Sequence, residues 1–174
     1  MKMAIVEAPP YRIGQGYDIH RLLPGKPLWI GGIQIDSQVG SDAHSDGDVI
    51  LHSLVDALLG ACGLGDIGDH FPPSDPQYAG LASTTFVHKI LPLLQAVGIQ
   101  KAPYRPMNVD MTVFLEKPVL KPYKLAIREA VANLLNLPLD CVSLKAKTAE
   151  KFPPIGTQEA IAASVTVLMG LGLV

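Results

Sequence analysis

The chain reads as a single α+β domain, one sheet covered on one face by helices. Three observations lead there. Its segments switch between a period of two and a period near 3.6, in the order strand, helix, helix, strand, helix, strand, strand, with no repeat and no internal linker. Its 174 residues suffice for one core without covalent staples. Apolar residues make up 48% against 17% charged, rather apolar for a small monomer, which points to surface hidden in an oligomer.

Residues 1–10 end in Pro9-Pro10 and read as an extension ahead of a domain spanning 11–174. Residues 11–22 form a strand interrupted by Gly14 and Gly16, where the backbone is expected to pass close to another element. Residues 27–35 carry a hairpin signal, with Gly31-Gly32 as its turn. A helix starts near Ser45 or Asp46, whose side chains suit the exposed N–H groups of a first turn, with Asp48 in a capping-box-like position. It stops in the glycine-rich stretch Gly60 to Gly63. On it Val55, Leu58, Leu59 and Cys62 face inward, while Asp48, His52 and Asp56 share another face.

Residues 64–76 are a turn-rich loop of a length that is often functional. A second helix covers 82–97 with Pro92 kinking it. Residues 108–116 alternate as a strand, and 121–135 show Ile127, Val131 and Leu134 at helical spacing. Residues 142–148 alternate with lysines on one face. The closing segment, 159–169, is a strand by its β-branched content, although its periodicity also admits a helix.

Composition excludes several roles. A net charge of −2 leaves no nucleic-acid footprint. No apolar run is long enough to cross a bilayer, and residues 1–7 lack the apolar core of a secretory signal. Cys62 and Cys141 are solitary and read as free thiols in a reducing compartment. A soluble intracellular domain is expected.

The chemistry concentrates in three residues. Asp18 and His20 lie two apart on a strand, so they leave the same face. His52 sits in an apolar helix where an unpaired imidazole is costly to bury. Two imidazoles and a carboxylate suit zinc, with a fourth position left open. The plainer reading of His52 is a core histidine bonded to Asp56. His70 and His88 have no such support and read as surface residues.

The segment Ser45-Asp46-Gly47-Asp48-Val49-x-x-His52-Ser53-x-x-Asp56-Ala57-Leu58-x-Gly60 resembles the signature of the 2-C-methyl-D-erythritol 2,4-cyclodiphosphate synthase family. The resemblance continues through Gly14-x-Gly16-Tyr17-Asp18-Ile19-His20, Leu64-Gly65-Asp66-Ile67-Gly68, Phe71-Pro72-x-x-Asp75-Pro76, Asn108-Val109-Asp110 and Lys145-Ala146-x-Thr148-x-Glu150-Lys151. It implies a two-layer α/β sandwich with a mixed four-stranded sheet and a chorismate mutase-like topology, assembled as a homotrimer that packs its sheets around a central axis. Active sites between subunits are implied with it.

The implied activity is that of a phosphorus–oxygen lyase of the non-mevalonate isoprenoid pathway. The 2-phosphate of a cytidine diphosphate ester of methylerythritol attacks the β-phosphorus, an eight-membered cyclic diphosphate closes, and CMP leaves. Carried over residue by residue, the resemblance makes Asp18, His20 and His52 ligands of Zn²⁺. Glu150 becomes the ligand of a second cation, Mg²⁺ or Mn²⁺. His44 and Ser45 fall near the phosphates, and Thr148 polarises them, which makes His44 and Thr148 the catalytic pair. Asp66, Ile67 and Gly68 match the ribose segment, and Phe71 and Asp75 the loop around methylerythritol. Residues 115–121, with Leu115 and Lys121 at their ends, line the cytosine pocket. Lys147, which does not match the family residue, is added to the phosphate contacts as a cation in place of the missing arginine. Thr148, Glu150 and the cytosine segment come from the neighbouring subunit, and the setting is a bacterial cytoplasm or, for a processed plant or algal chain, the plastid stroma.

The chain departs from the family pattern at Pro73, where an acidic residue is usual, at Lys147, where a small hydroxyl is usual, and at Val119, where a lysine is usual. Thr157 stands in place of an arginine. Two other classes compete with the synthase: a zinc hydrolase, for which Asp48 or Asp56 would have to serve as base, and a trimeric isoprenoid- or metal-binding protein without catalysis.

Overall fold

A computed structural model describes residues 9–99 and 102–172; residues 1–8 of the expected extension lie outside it. In chain order the elements are β1 (Tyr11–Pro24), β2 (Leu28–Ile30), β3 (Ile33–Ile35), β4 (Val39–Ser41), α1 (Val49–Cys62), the single turn α2 (Ile67–His70), α3 (Ser83–Ala96), β5 (Gly98–Ile99), β6 (Ala102–Phe114), α4 (Lys124–Leu135), β7 (Val142–Lys147) and β8 (Ala160–Leu171).

The long strands form a mixed sheet. β8 runs antiparallel to both β1 and β6, and β7 runs parallel to β6. These four were expected. Two short strands enlarge the sheet to six: β4 pairs with the end of β1, and β5 with the start of β6. The hairpin β2–β3 stands as a separate two-stranded sheet, and its Gly31 and Gly32 both take positive φ, as a tight turn requires. The closing segment resolves as a strand. Ile161, Ala163, Val165, Val167 and Met169 are all fully buried on the core face; Ala160 and Ala162 on the other face are buried too, and from Ala163 to Met169 burial follows a period of two.

α1 packs on β1 and β8, α3 on β6 and α4 on β7. Gly14 and Gly16 explain how closely α1 lies. A Cβ on Gly14 would come within 1.8 Å of the Ala57 carbonyl oxygen, and one on Gly16 within 2.0 Å of that of Ser53. Only glycine lets the two backbones approach this far. The odd residues of β1 point the other way. Ile13, Tyr17 and Ile19 leave 72%, 53% and 44% of their surface exposed on the side of the sheet opposite α1.

α1 begins later than its sequence suggests. Val49 is its first residue and Asp48 its N-cap, accepting from the N–H groups of Ile50 and Leu51, both at 3.1 Å. Gly47 turns the chain with a positive φ just before, which keeps Ser45 and Asp46 out of the helix. The same Asp48 carboxylate accepts from Gly31 N–H at 2.8 Å and Gly32 N–H at 2.6 Å. One fully buried side chain therefore fastens the hairpin turn to the start of α1. α1 ends at Gly63 in the left-handed conformation. α3 occupies the expected span with Pro92 inside it. The expected helix at 121–135 opens as a 3-10 turn over Lys121–Tyr123 and becomes α-helical at Lys124.

Candidate functional site

β1 carries Asp18 and His20 on the side that faces α1, and α1 presents His52 one turn beyond its cap. Asp18 Oδ2, His20 Nε2 and His52 Nδ1 form a triangle with edges of 3.0, 3.0 and 3.1 Å. The second carboxylate oxygen, Oδ1, accepts from Ile19 N–H at 2.8 Å, which turns Oδ2 toward the imidazoles. Zinc with ligands at about 2.0–2.1 Å has donor–donor edges of about 3.3 Å in a tetrahedron. The triad fits such an ion with an adjustment of a few tenths of an ångström, and it is the one such cluster of acidic, His and Cys side chains among the described residues.

Electrostatics favour cation binding at this point. Burial would raise the Asp18 pKa, but hydrogen bonds from His20 and His52 and their charge hold its carboxyl well below the usual carboxylate range. Burial also works against an imidazolium at His52. The Asp18 hydrogen bond and charge, with Asp48 and Asp46 nearby, nonetheless push its pKa above the ordinary 6.5.

The triad lies in an open cavity of about 390 Å³. His44 and Ser45, from the loop before α1, line it beside the triad, and Ile67, Gly68 and Phe71 line it from the loop after α1. Phe71 does two things at once. It is 9% exposed and stacks on Phe86 at 4.8 Å between ring centroids, yet it also forms part of the cavity wall. Asp66 and Asp75 serve as caps: Asp66 accepts from Asp69 N–H at 3.1 Å and Asp75 from Gln77 N–H at 3.0 Å.

The remaining expected residues stand elsewhere. Leu115, Lys121, Lys147, Thr148 and Glu150 do not line this cavity. They lie along the 115–121 and 147–150 segments, joined where Leu115 N–H donates to Lys147 O at 2.9 Å. Thr148 Oγ1 donates to Glu150 Oε1 at 2.7 Å, and Glu150 and Lys151 both take positive φ. Thr157 Oγ1 donates to Pro154 O at 3.0 Å, so its hydroxyl is spent within its own loop.

Several sequence expectations are corrected. The plainer alternative for His52, a core histidine bonded to Asp56, does not form: the Asp56 carboxylate accepts from Ile67 N–H at 2.8 Å and holds the following loop. Burial raises the Asp56 pKa. Asp48 is enclosed by four N–H donors, which removes it as a base for metal-bound water. His70 is half-buried, its Nε2 within 2.8 Å of Leu64 O, whereas His88 is exposed as expected. Asp46 caps α3 rather than α1, accepting from Ser83 N–H at 2.9 Å. Asp42, Ala43, Tyr78 and Phe86 line the cavity unannounced by any motif, and Ser83 sits buried behind His52. The only advance sign of Ser83 was a hydroxyl residue at a helix start.

With the geometry in hand, comparisons place the chain among known proteins. A model of the YgbB family matches residues 11–170. The chain is 48% identical over 157 residues to the 2-C-methyl-D-erythritol 2,4-cyclodiphosphate synthase of Symbiobacterium thermophilum, covering 90% of this chain and 97% of that one. It is 46% identical over 171 residues to the chloroplastic synthase of Oryza sativa subsp. japonica, covering 95% and 75%. A solved structure of such a synthase in its CDP-bound form is similar with a TM-score of 0.82 at 39% identity, over 91% of this chain and 99% of that one.

Proposed function

The chain belongs to the YgbB family, and on that premise we propose how it carries out 2-C-methyl-D-erythritol 2,4-cyclodiphosphate synthesis: Asp18, His20 and His52 hold zinc beside a bound diphosphate. The reaction converts 4-diphosphocytidyl-2-C-methyl-D-erythritol 2-phosphate to the cyclic 2,4-diphosphate. A 2-phosphate oxygen forms a bond to the β-phosphorus, the bond from that phosphorus to the bridging oxygen breaks, and CMP leaves with the electron pair. The single observation that carries the metal assignment is the convergence of three donor atoms at 3.0–3.1 Å on the cavity wall.

A zinc ion there would supply a Lewis acid for a phosphate oxygen. This chain's residues do the positioning, which carries most of the barrier reduction in phosphoryl transfer. His44 and Ser45 orient the phosphates at the loop before α1. Ile67 and Gly68, with Asp66 behind them, hold the ribose. Phe71 and Asp75 order the loop over the methylerythritol group, where Pro73 brings no carboxylate. Leu115 to Lys121 bind cytosine, Lys147 and Thr148 reach the phosphates, and Glu150 holds Mg²⁺ or Mn²⁺, whose hard character suits a carboxylate plus substrate oxygens.

The second group belongs to a neighbouring subunit in a homotrimer. Two features support this reading: those residues stand away from the triad cavity, and Ile13, Tyr17 and Ile19 expose an apolar strip on the bare side of the sheet. The setting is a bacterial cytoplasm or a plastid, in keeping with the chloroplastic relative. Among the described residues no helix is long and apolar enough to cross a membrane.

The test is direct. Incubation with the cytidylyl substrate and Mg²⁺, followed by phosphorus NMR, is expected to show CMP and the cyclic diphosphate rising together. Open-chain hydrolysis products without cyclisation would overturn the reading. A second expectation concerns pH. Because protonation of His52 competes with the metal and its pKa is raised, zinc affinity should fall on acidification, beginning above the ordinary histidine range. Chelator competition between roughly pH 5.5 and 8 checks this, and an affinity that does not change across that interval would contradict it.

A further inference from the structure

The Nδ1 edge of His52 faces Asp18 and His20, and its opposite edge meets a half-buried relay that reaches from α1 to α3. Ser83 is the first residue of α3 and is fully buried. Its Oγ donates to Asp46 Oδ1, and its backbone N–H donates to Asp46 Oδ2 at 2.9 Å. Asp46 is itself held, since Oδ1 also accepts from Asp48 N–H at 3.2 Å and the Asp46 N–H donates to Leu81 O at 3.1 Å.

The direction of these bonds follows from proton counting. A carboxylate has no proton to give, so the single hydroxyl proton of Ser83 is committed to Asp46. What Ser83 offers to His52 Nε2, 3.0 Å away, is a lone pair. Ser45 Oγ, also 3.0 Å from Nε2, accepts from Gly47 N–H at 3.2 Å and keeps a second lone pair for the same ring proton. A ring proton therefore belongs on Nε2, which leaves Nδ1, the edge 3.0 Å from Asp18 Oδ2, as the nitrogen to offer a metal its lone pair.

We infer that Ser83, oriented by Asp46, is a positioning residue for the metal site: it anchors the Nε2–H of His52 so that Nδ1 converges with Asp18 Oδ2 and His20 Nε2 on the point a metal would take. This rests on the zinc reading of the triad. A ring flip would break the hydrogen bonds to both serines, so the orientation is fixed from behind. The Asp46 charge also reaches the imidazole through one hydroxyl, which strengthens Nδ1 as a donor. The relay explains why a helix start distant in sequence is brought against α1: residues 31 and 37 positions apart close it.

Two readouts on the full chain test it: zinc affinity by chelator competition, and the proton resonance of the His52 Nε2–H in the zinc-loaded protein. Ser83→Ala keeps the backbone N–H to Asp46 and so leaves the cap of α3 in place. It is expected to weaken zinc binding about 10–100-fold and to shift or exchange-broaden the Nε2–H resonance. Ser83→Thr, which restores the hydroxyl, should recover both. If Ser83→Ala does not fold, Ser83→Cys, with its weaker acceptor, should show a smaller change of the same sign. Affinity within about twofold of wild type together with an unmoved resonance, in either folded variant, would overturn the relay while leaving the metal site standing. A serine that only stabilised α3 would lower the melting temperature and move neither readout. A wild-type chain that binds no zinc would overturn the site and the relay together.

Discussion

His52→Ala is expected to lose stoichiometric zinc and about three orders of magnitude or more in turnover. Two ligands would remain, Asp18 and His20, and two are too few to hold the ion against water. The substitution also opens space behind the triad, where Ser45 and Ser83 would lose their shared partner. The two effects separate by measurement. Metal content by atomic emission reports the ligand, and turnover at saturating zinc reports what the imidazole does besides. A variant that keeps one zinc per chain would remove His52 from the ligand set, whatever its activity.

The largest effect on stability is expected at Asp48. Asp48→Ala strands four N–H groups, two buried at the start of α1 and two in the hairpin turn, where that of Gly31 is buried and that of Gly32 half-buried. Loss of a cap costs about 1 kcal/mol, and each buried donor left without an acceptor about 1–3 kcal/mol. Against this stands relief from burying a carboxyl, whose pKa is raised by its desolvation. The net expectation is about 3 kcal/mol or more, a fall of about 10 °C in the melting temperature for a chain of this size. Asp48→Asn keeps one acceptor oxygen and should lose about half as much. Thermal unfolding of the metal-free variants decides the matter. A shift of less than about 2 °C for the alanine variant would mean that water or backbone rearrangement takes over the four donors.

The sequence disclosed the fold where one residue pattern serves one surface. The paired glycines at 14 and 16 announced a close approach, and α1 lies there. The closing segment, 159–169, whose periodicity also admits a helix, is a strand as its β-branched content suggests, because both neighbours of β8 are strands and one face meets the helices. The short strands escaped notice because two or three residues carry no period, and their pairing is set by the ends of β1 and β6. The start of α1 was misjudged for a different reason. Ser45, Asp46 and Asp48 are all good caps by type, and only the Gly47 turn and the hairpin donors select among them. At the site, Asp18 and His20 were legible because their spacing is local. The Asp46–Ser83 contact was not, since nothing in a one-dimensional pattern ties a loop to a helix start 37 residues on.

The pairing of β1 with β8 has a consequence for fidelity. Asp18 sits opposite Ala163 and His20 opposite Ile161, with Gly14 and Gly16 ahead of them on the same side. A slip of one residue would send both ligands to the bare side and drive Gln15 or Tyr17 into the α1 backbone. A slip of two would keep the glycines' side inward but separate Asp18 from His52. Each misalignment thus costs the triad together with the close approach of β1 to α1. An ion that took all three donors would therefore favour the same single register that the glycines already select.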